Sequence, residues 1–212
     1  MNRSKVSVLI LGILLVGGGF FLFRRRQSVK APAPSVTPSP TSARGESETP
    51  SETPYETFTT ADGRFSFEYP TTWTRTEIQN LETVLPKEFI DKYELTMPLI
   101  LSDPRGAQTT LSTYRFEKGL DLDAGMDALA AELVEMGQPY NEVDRQTVGD
   151  SLVVDSTVET QGVTVQVRDL LFLILRNEKN TIYNLSFSAR QSAWGDYETI
   201  FNHIQNSARL SP

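Results

Sequence analysis

Residues 163–175 constrain the fold more than any other stretch of this chain. They open with apolar Val163, Val165 and Val167 alternating with polar Thr164, Gln166 and Arg168, the period of a strand with one covered face. From Leu170 the alternation stops: Leu170, Leu171, Phe172, Leu173, Ile174 and Leu175 leave no polar side, so this half of the strand calls for cover on both faces. Full burial of each such side chain is worth about 1.5–3 kcal/mol. The rest of the chain must therefore supply one layer above this strand and another below it.

The flanking sequence offers both layers. Residues 142–148, 152–160, 163–175 and 181–189 read as strands joined by Gly149-Asp150, Gln161-Gly162 and residues 177–180, and connections so short make neighbours antiparallel. In the last of them Tyr183, Leu185, Phe187 and Ala189 oppose Asn184, Ser186 and Ser188. Earlier, Asp62-Gly63 predicts a tight hairpin between residues 56–60 and 64–69, with Phe65, Phe67 and Tyr69 on one face and Pro70 ending the strand. Trp73 lies in a short extended piece, 72–77, where it reads as a core aromatic. A second hairpin, 98–102 with 109–117, turns around Asp103-Pro104-Arg105-Gly106.

Three segments have helical spacing. Within 80–93, Pro86 suits a helix start and Phe89, Ile90 and Tyr93 follow it. In 121–136, Leu122, Met126, Leu129, Ala130, Leu133 and Met136 form a stripe that Gly137 and Pro139 stop. In 191–208, Trp194, Tyr197, Ile200, Phe201 and Ile204 share a face. With one long helix on each side, the expected fold is α+β: a central antiparallel sheet sandwiched between helices, α/β/α.

Ahead of this domain, residues 6–23 form an apolar run interrupted by Ser7 and four glycines, with Arg3 and Lys5 before it and Arg24–Arg26 after it. Such a run is long enough to cross a bilayer. A cleaved signal peptide would have a shorter apolar core followed by small residues, where this chain has Phe21-Leu22-Phe23-Arg24, so an uncleaved anchor is expected. The positive charge on both flanks does not set its orientation. Residues 31–54 are rich in Pro, Ser, Thr and Glu, hold six of the twelve prolines, and predict an unfolded spacer of roughly 3 Å per residue. The expected organisation is a short tail (1–5), an anchor (6–23), a basic juxtamembrane and disordered linker (24–56) and a folded domain (57–212).

Charge narrows the partners. Residues 1–30 carry six basic residues and no acid, which leaves 14 basic residues against 27 acids in 31–212, a net −13. A body this acidic is repelled by phosphate backbones and anionic lipid surfaces, so nucleic acid is not an expected partner. The absence of cysteine removes disulfides, thiolate metal sites and thiol nucleophiles.

Few residues suggest a chemistry. His203 is the only histidine, near the end of a predicted helix, with no Gly-x-Ser-x-Gly elbow to serve. Asp121, Asp123, Asp127 and Glu132 lie close together, but Gly125 at the fifth loop position, counted from Asp121, breaks the calcium-loop pattern; Asp121 reads instead as a helix cap and Asp123 as a complement to the helix's positive end. Asn184-Leu185-Ser186 has the glycosylation tripeptide inside a predicted strand and carries no reading. No catalytic residue, cofactor or metal is expected. A carboxylate pair brought together in space is a chemistry that spacing does not test.

Two motifs carry a family resemblance. Gly63-Arg-Phe-Ser-Phe-Glu-Tyr-Pro-Thr-Thr-Trp73 is similar to the opening strand, proline and tryptophan of the PsbP-like family, and Tyr197-Glu-Thr-Ile-Phe-Asn-His-Ile-Gln-Asn-Ser207 resembles its closing helix. That family includes the extrinsic P subunit of photosystem II and bacterial envelope proteins of the DcrB type. The resemblance covers roughly residues 57–210 and implies an α/β/α sandwich with mostly non-catalytic binding or assembly roles. Bacterial members are often lipoproteins; this chain has no lipobox cysteine, so residues 6–23 would serve as the anchor.

The expected function is a single-pass, membrane-anchored module of the bacterial envelope whose C-terminal domain stands outside the cytoplasm and binds a protein or small ligand. An envelope hydrolase using paired carboxylates and a cytoplasm-facing tethered adaptor are the alternatives.

Overall fold

The structure, a computed structural model, describes residues 53–211 apart from 79, 84, 118–120, 136–139, 161 and 176–178. The expected anchor, nearly all of the linker and the Gly137 and Pro139 helix stop lie outside the described residues. Among the described residues no helix is long and apolar enough to cross a membrane.

The fold is α+β with two antiparallel sheets. The expected first hairpin forms, with β1 (Tyr55–Thr59) against β2 (Phe65–Pro70), and Gly63 takes the positive φ of 71° that the turn requires. A two-residue strand at the C terminus, β10 (Arg209–Leu210), pairs with the other edge of β2. This three-stranded sheet is a correction to the single central sheet read from the sequence. Its origin is packing: Phe65 and Phe67 are buried against the C-terminal helix and the large sheet, so the hairpin lies over that sheet and does not extend it.

The second sheet has seven strands in the order β3-β4-β5-β9-β8-β7-β6: β3 (Thr74–Thr76), β4 (Thr96–Ser102), β5 (Gln108–Glu117), β6 (Tyr140–Val148), β7 (Ser151–Thr160), β8 (Val163–Ile174) and β9 (Lys179–Arg190). The organising strand is β8, and it does have a partner on each edge, with Leu170 opposite Val153 on β7 and Leu185 on β9.

Three helices complete the domain. Helix α1 (Lys87–Tyr93) starts directly after Pro86 and ends at Glu94 in the left-handed region. Helix α2 (Leu122–Glu135) is capped by Asp121, whose Oδ1 accepts the Ala124 N–H at 2.9 Å. Helix α3 (Trp194–Ser207) follows a short 3-10 turn.

Helices lie on both faces of the large sheet. On one, α3 and the small sheet enclose Leu99, Leu111, Leu170, Leu185 and Phe187. On the other, α1 and α2 enclose Tyr114, Phe116, Leu152, Val154, Leu171 and Ile182. The two-sided cover expected for residues 170–175 is complete at Leu170 and Leu171, which are buried on opposite faces. It fades at Phe172–Ile174, which are half-buried, and it fails at Leu175, which lies past the end of β8 and is 74% exposed. Leu175 lies one residue beyond the last paired residue of β8, Ile174.

Candidate functional site

Strand alternation puts Val163, Val165, Val167, Asp169 and Leu171 on one side of β8, so a carboxylate occupies the buried phase of an apolar strand. Asp169 is 7% exposed. Burial pushes its carboxyl up from the ordinary aspartate range, with Asp155 adding in the same direction, while Ser186 and Asn184 hold the rise back. Asn184 Nδ2 donates to Asp169 Oδ1 at 3.1 Å.

The neighbouring strands carry the polarity outward from Asp169. Ser186 lies directly across from it on β9, and Thr110 on β5 lies across from Ser186. One step along, Ser112 faces Asn184; one step the other way, Gln108 faces Ser188. On β7, Ser156 faces Val167. All of these side chains share the face that α1 and α2 cover elsewhere, and each is at least nine-tenths buried. Tyr114, next along β5, has its hydroxyl pushed up to about 12, first by burial and then by Asp169, and Tyr140 at the start of β6 is raised for the same two reasons. On this sheet face the polar row thus lies between the apolar cluster under α1 and α2 and the valines Val158, Val165 and Val167.

Within this band, Asn184 Oδ1 and Ser156 Oγ have no hydrogen-bond partner. A buried polar atom left unpaired costs about 1–3 kcal/mol, and such atoms in a native fold call for a physical reason. The band offers hydroxyls, amides and one carboxyl. It contains no histidine or lysine, and its one carboxyl is not joined there by Asp155, which projects from the opposite face, where Arg168 holds both its oxygens at 2.8 and 3.0 Å.

The residues singled out in the sequence lie elsewhere. His203 stacks on Tyr55 with ring centroids 3.7 Å apart, and its Nε2 meets Glu68 Oε2 at 2.8 Å, tying α3 to the small sheet. Asp123 and Asp127 both engage Arg145 on β6, at 3.4 and 2.8 Å, so the acids of α2 are answered by a cation of the chain itself; Glu132 is taken by Lys92 and Tyr93. Among the described residues no group of three or more metal-ligating side chains comes together. Trp73 is buried edge-on against Phe201, a packing role. Asn184, the first residue of the glycosylation tripeptide, is 5% exposed within the sheet.

Sequence reading passed over Asp169, although its signal was present: an acid in phase with Val163, Val165, Val167 and Leu171. A separate open groove of about 330 Å³ runs beside the outer edge of β4, lined by Ile78, Leu81, Ile90, Leu95, Met97 and Pro98 with Asn80, Glu82 and Thr96. It lacks the convergent, buried polar groups that the band provides.

No family model matches this chain, and no curated protein does. Among solved structures, LpqN of Mycobacterium tuberculosis, described as involved in cell envelope biogenesis, matches 75% of this chain and 91% of its own length with a TM-score of 0.50 at 11% identity. The domain shares the fold of LpqN. Cyanobacterial PsbP from Synechocystis matches 79% of this chain and 98% of its own at a TM-score of 0.41 and 11% identity. A Pseudomonas aeruginosa protein of unknown function matches 74% and 96% at 0.39 and 14%. The α+β fold expected from the sequence is thus found in the solved structure of LpqN.

Proposed function

We propose that this chain is a membrane-anchored, non-enzymatic binding or assembly module of the bacterial envelope. The observation that carries the reading is the order of its parts: an arginine-bracketed apolar run at 6–23, a Pro/Ser/Thr/Glu tract at 31–54, and then a folded domain. The linker is long enough to hold the domain tens of ångströms from the bilayer. The net −13 of residues 31–212 favours standing off an anionic lipid surface over lying on it. LpqN, whose fold the domain shares, is described as a protein of envelope biogenesis, which supports the same setting. The partner in this reading is a protein or a small ligand.

Protease added to intact cells, with the outer membrane permeabilised where there is one, should remove the folded domain and leave a membrane-bound fragment of residues near 1–54. Complete protection of the domain while a periplasmic control is digested would establish the cytoplasm-facing adaptor instead. Crosslinking in whole cells then identifies the protein partner.

A further inference from the structure

The large sheet ends on β6, a strand of nine residues whose outer edge has no partner among the described residues. Natural folds shorten, cover or guard such edges, because their unpaired N–H and C=O groups template another strand. The opposite edge is shortened: β3 has three residues, and past it on β4 Pro98 has no N–H to offer. On β6 the turn to β7 decides which groups are open. Gly149-Asp150 is a two-residue loop flanked by Val148 paired with Ser151, so Val148 and Gln146 turn their N–H and C=O toward β7, while Thr147 and Arg145 turn theirs outward.

Charge along this edge is incomplete. Asp144 lies directly opposite Asp155, and Asp155 lies opposite Arg168, which binds it. Like charges directly across a strand pair are destabilising, and Asp144, at the outer end of the row, has no ion pair of its own among the described residues. On the other face the cation of β6, Arg145, is already shared by Glu142, Asp123 and Asp127. A row that runs acid, acid, base from the open edge inward lacks a cation at the position a further strand would occupy.

We propose that the outer edge of β6 receives one extended segment of a protein partner, a strand rich in Lys and Arg that sets a cation against Asp144; the proposal rests on the reading of the chain as a binding module. Such a strand takes up the outward hydrogen bonds of Arg145 and Thr147 and covers Val143 and Val148, which are 64% and 47% exposed. A second copy of this chain is the wrong occupant, because its own β6 brings Glu142 and Asp144 and its body the same surplus of acids.

The test uses the full chain in phosphatidylcholine nanodiscs and a labelled, end-capped octapeptide, Thr-Lys-Lys-Val-Lys-Lys-Val-Thr, read by fluorescence anisotropy and by amide hydrogen exchange resolved by NMR. The expected result is saturable binding with slowed exchange at the Arg145 and Thr147 amides and no such change at Gln146 and Val148. Asp144→Lys should weaken binding about tenfold, since a like charge then faces the peptide. Thr147→Pro removes an outward N–H and no bond to β7, and should abolish binding while circular dichroism shows the sheet retained. A peptide with proline in place of both valines keeps the charge and cannot pair as a strand; equal binding of it would reduce the effect to charge attraction and overturn the proposal. So would no binding, protection at another edge, indifference to Asp144→Lys, or a dimer that forms without peptide and is lost in Thr147→Pro, which would make a second copy the occupant. Removal of the domain by protease on intact cells depends on none of these outcomes, so this proposal and the envelope reading fail separately.

Discussion

Helices α2 and α3 are both 14 residues long and cover opposite faces of the same sheet, yet the surfaces beneath them differ in kind. Under α3 the interior is aromatic: Phe201 meets Trp73, Phe187, Trp194 and Tyr197, and the small sheet adds Phe58, Phe65 and Phe67. Polar pins hold the edges, with Tyr183 donating to Asp62 Oδ2 at 2.7 Å and Tyr197 to Asp103 Oδ1 at 2.8 Å. Under α1 and α2 the apolar cluster stops part-way, and the remaining sheet is given to Asp169 and its polar neighbours. Both faces bury polar side chains, Thr109 and Thr181 on the α3 side, but on the other they gather into a row across three strands around a carboxyl. That gathering is what sets the candidate site apart.

Four substitutions test the contrast, in order of expected effect. Phe201→Ala should cost about 3–5 kcal/mol, the price of an aromatic cavity in a fully packed core, measured by urea unfolding; a loss below about 1 kcal/mol would mean that the α3 face is not the denser of the two. Gly125→Val on α2 should cost about 1–3 kcal/mol, since a Cβ there would approach Ile182 Cδ1 to 2.8 Å. Neutral behaviour of that variant would show that the Ile182 side chain gives way and that α2 sits loosely on the sheet.

Asp169→Asn should move in the opposite direction. Because the folded carboxyl is raised, the native state favours its neutral form: the stability is fully present below the ordinary aspartate range and is eroded as pH rises toward the folded value. The amide variant should therefore gain on the order of 1–3 kcal/mol at neutral pH and nothing below about pH 4, as read from thermal unfolding across pH. A loss at neutral pH would make Asp169 a structural anchor. Asp121→Ala, which removes the cap of α2, should cost about 1 kcal/mol. An equal effect at every pH from 5 to 8 would separate it from the response of the band.

Much of the fold was legible because it depends on local periodicity. The Asp62-Gly63 turn, the start of α1 after Pro86, the Asp121 cap and every strand from β4 to β9 follow from spacing and turn chemistry, and each was read within a few residues of its observed ends. Arg209–Leu210 was missed because a two-residue strand has no period; its pairing with Phe65 and Ser66 arises from contact over a long stretch of chain. The buried state of Asn184, Ser186 and Ser188 was equally hidden, since alternation says that two faces differ but not which of them is wet.

Periodicity and punctuation along the chain were enough to require a sheet with β8 inside it, helices to cover it, and an apolar segment and spacer ahead of it, because those features depend on neighbours a few residues apart. The separate sheet over α3, the projection of Asp155 and Asp169 from opposite faces of the large sheet, and the gathering of polar side chains from β5, β7, β8 and β9 into one band belong to the assembled molecule. They depend on register between strands far apart in the chain, and register is set when the two faces compete for the same apolar surface.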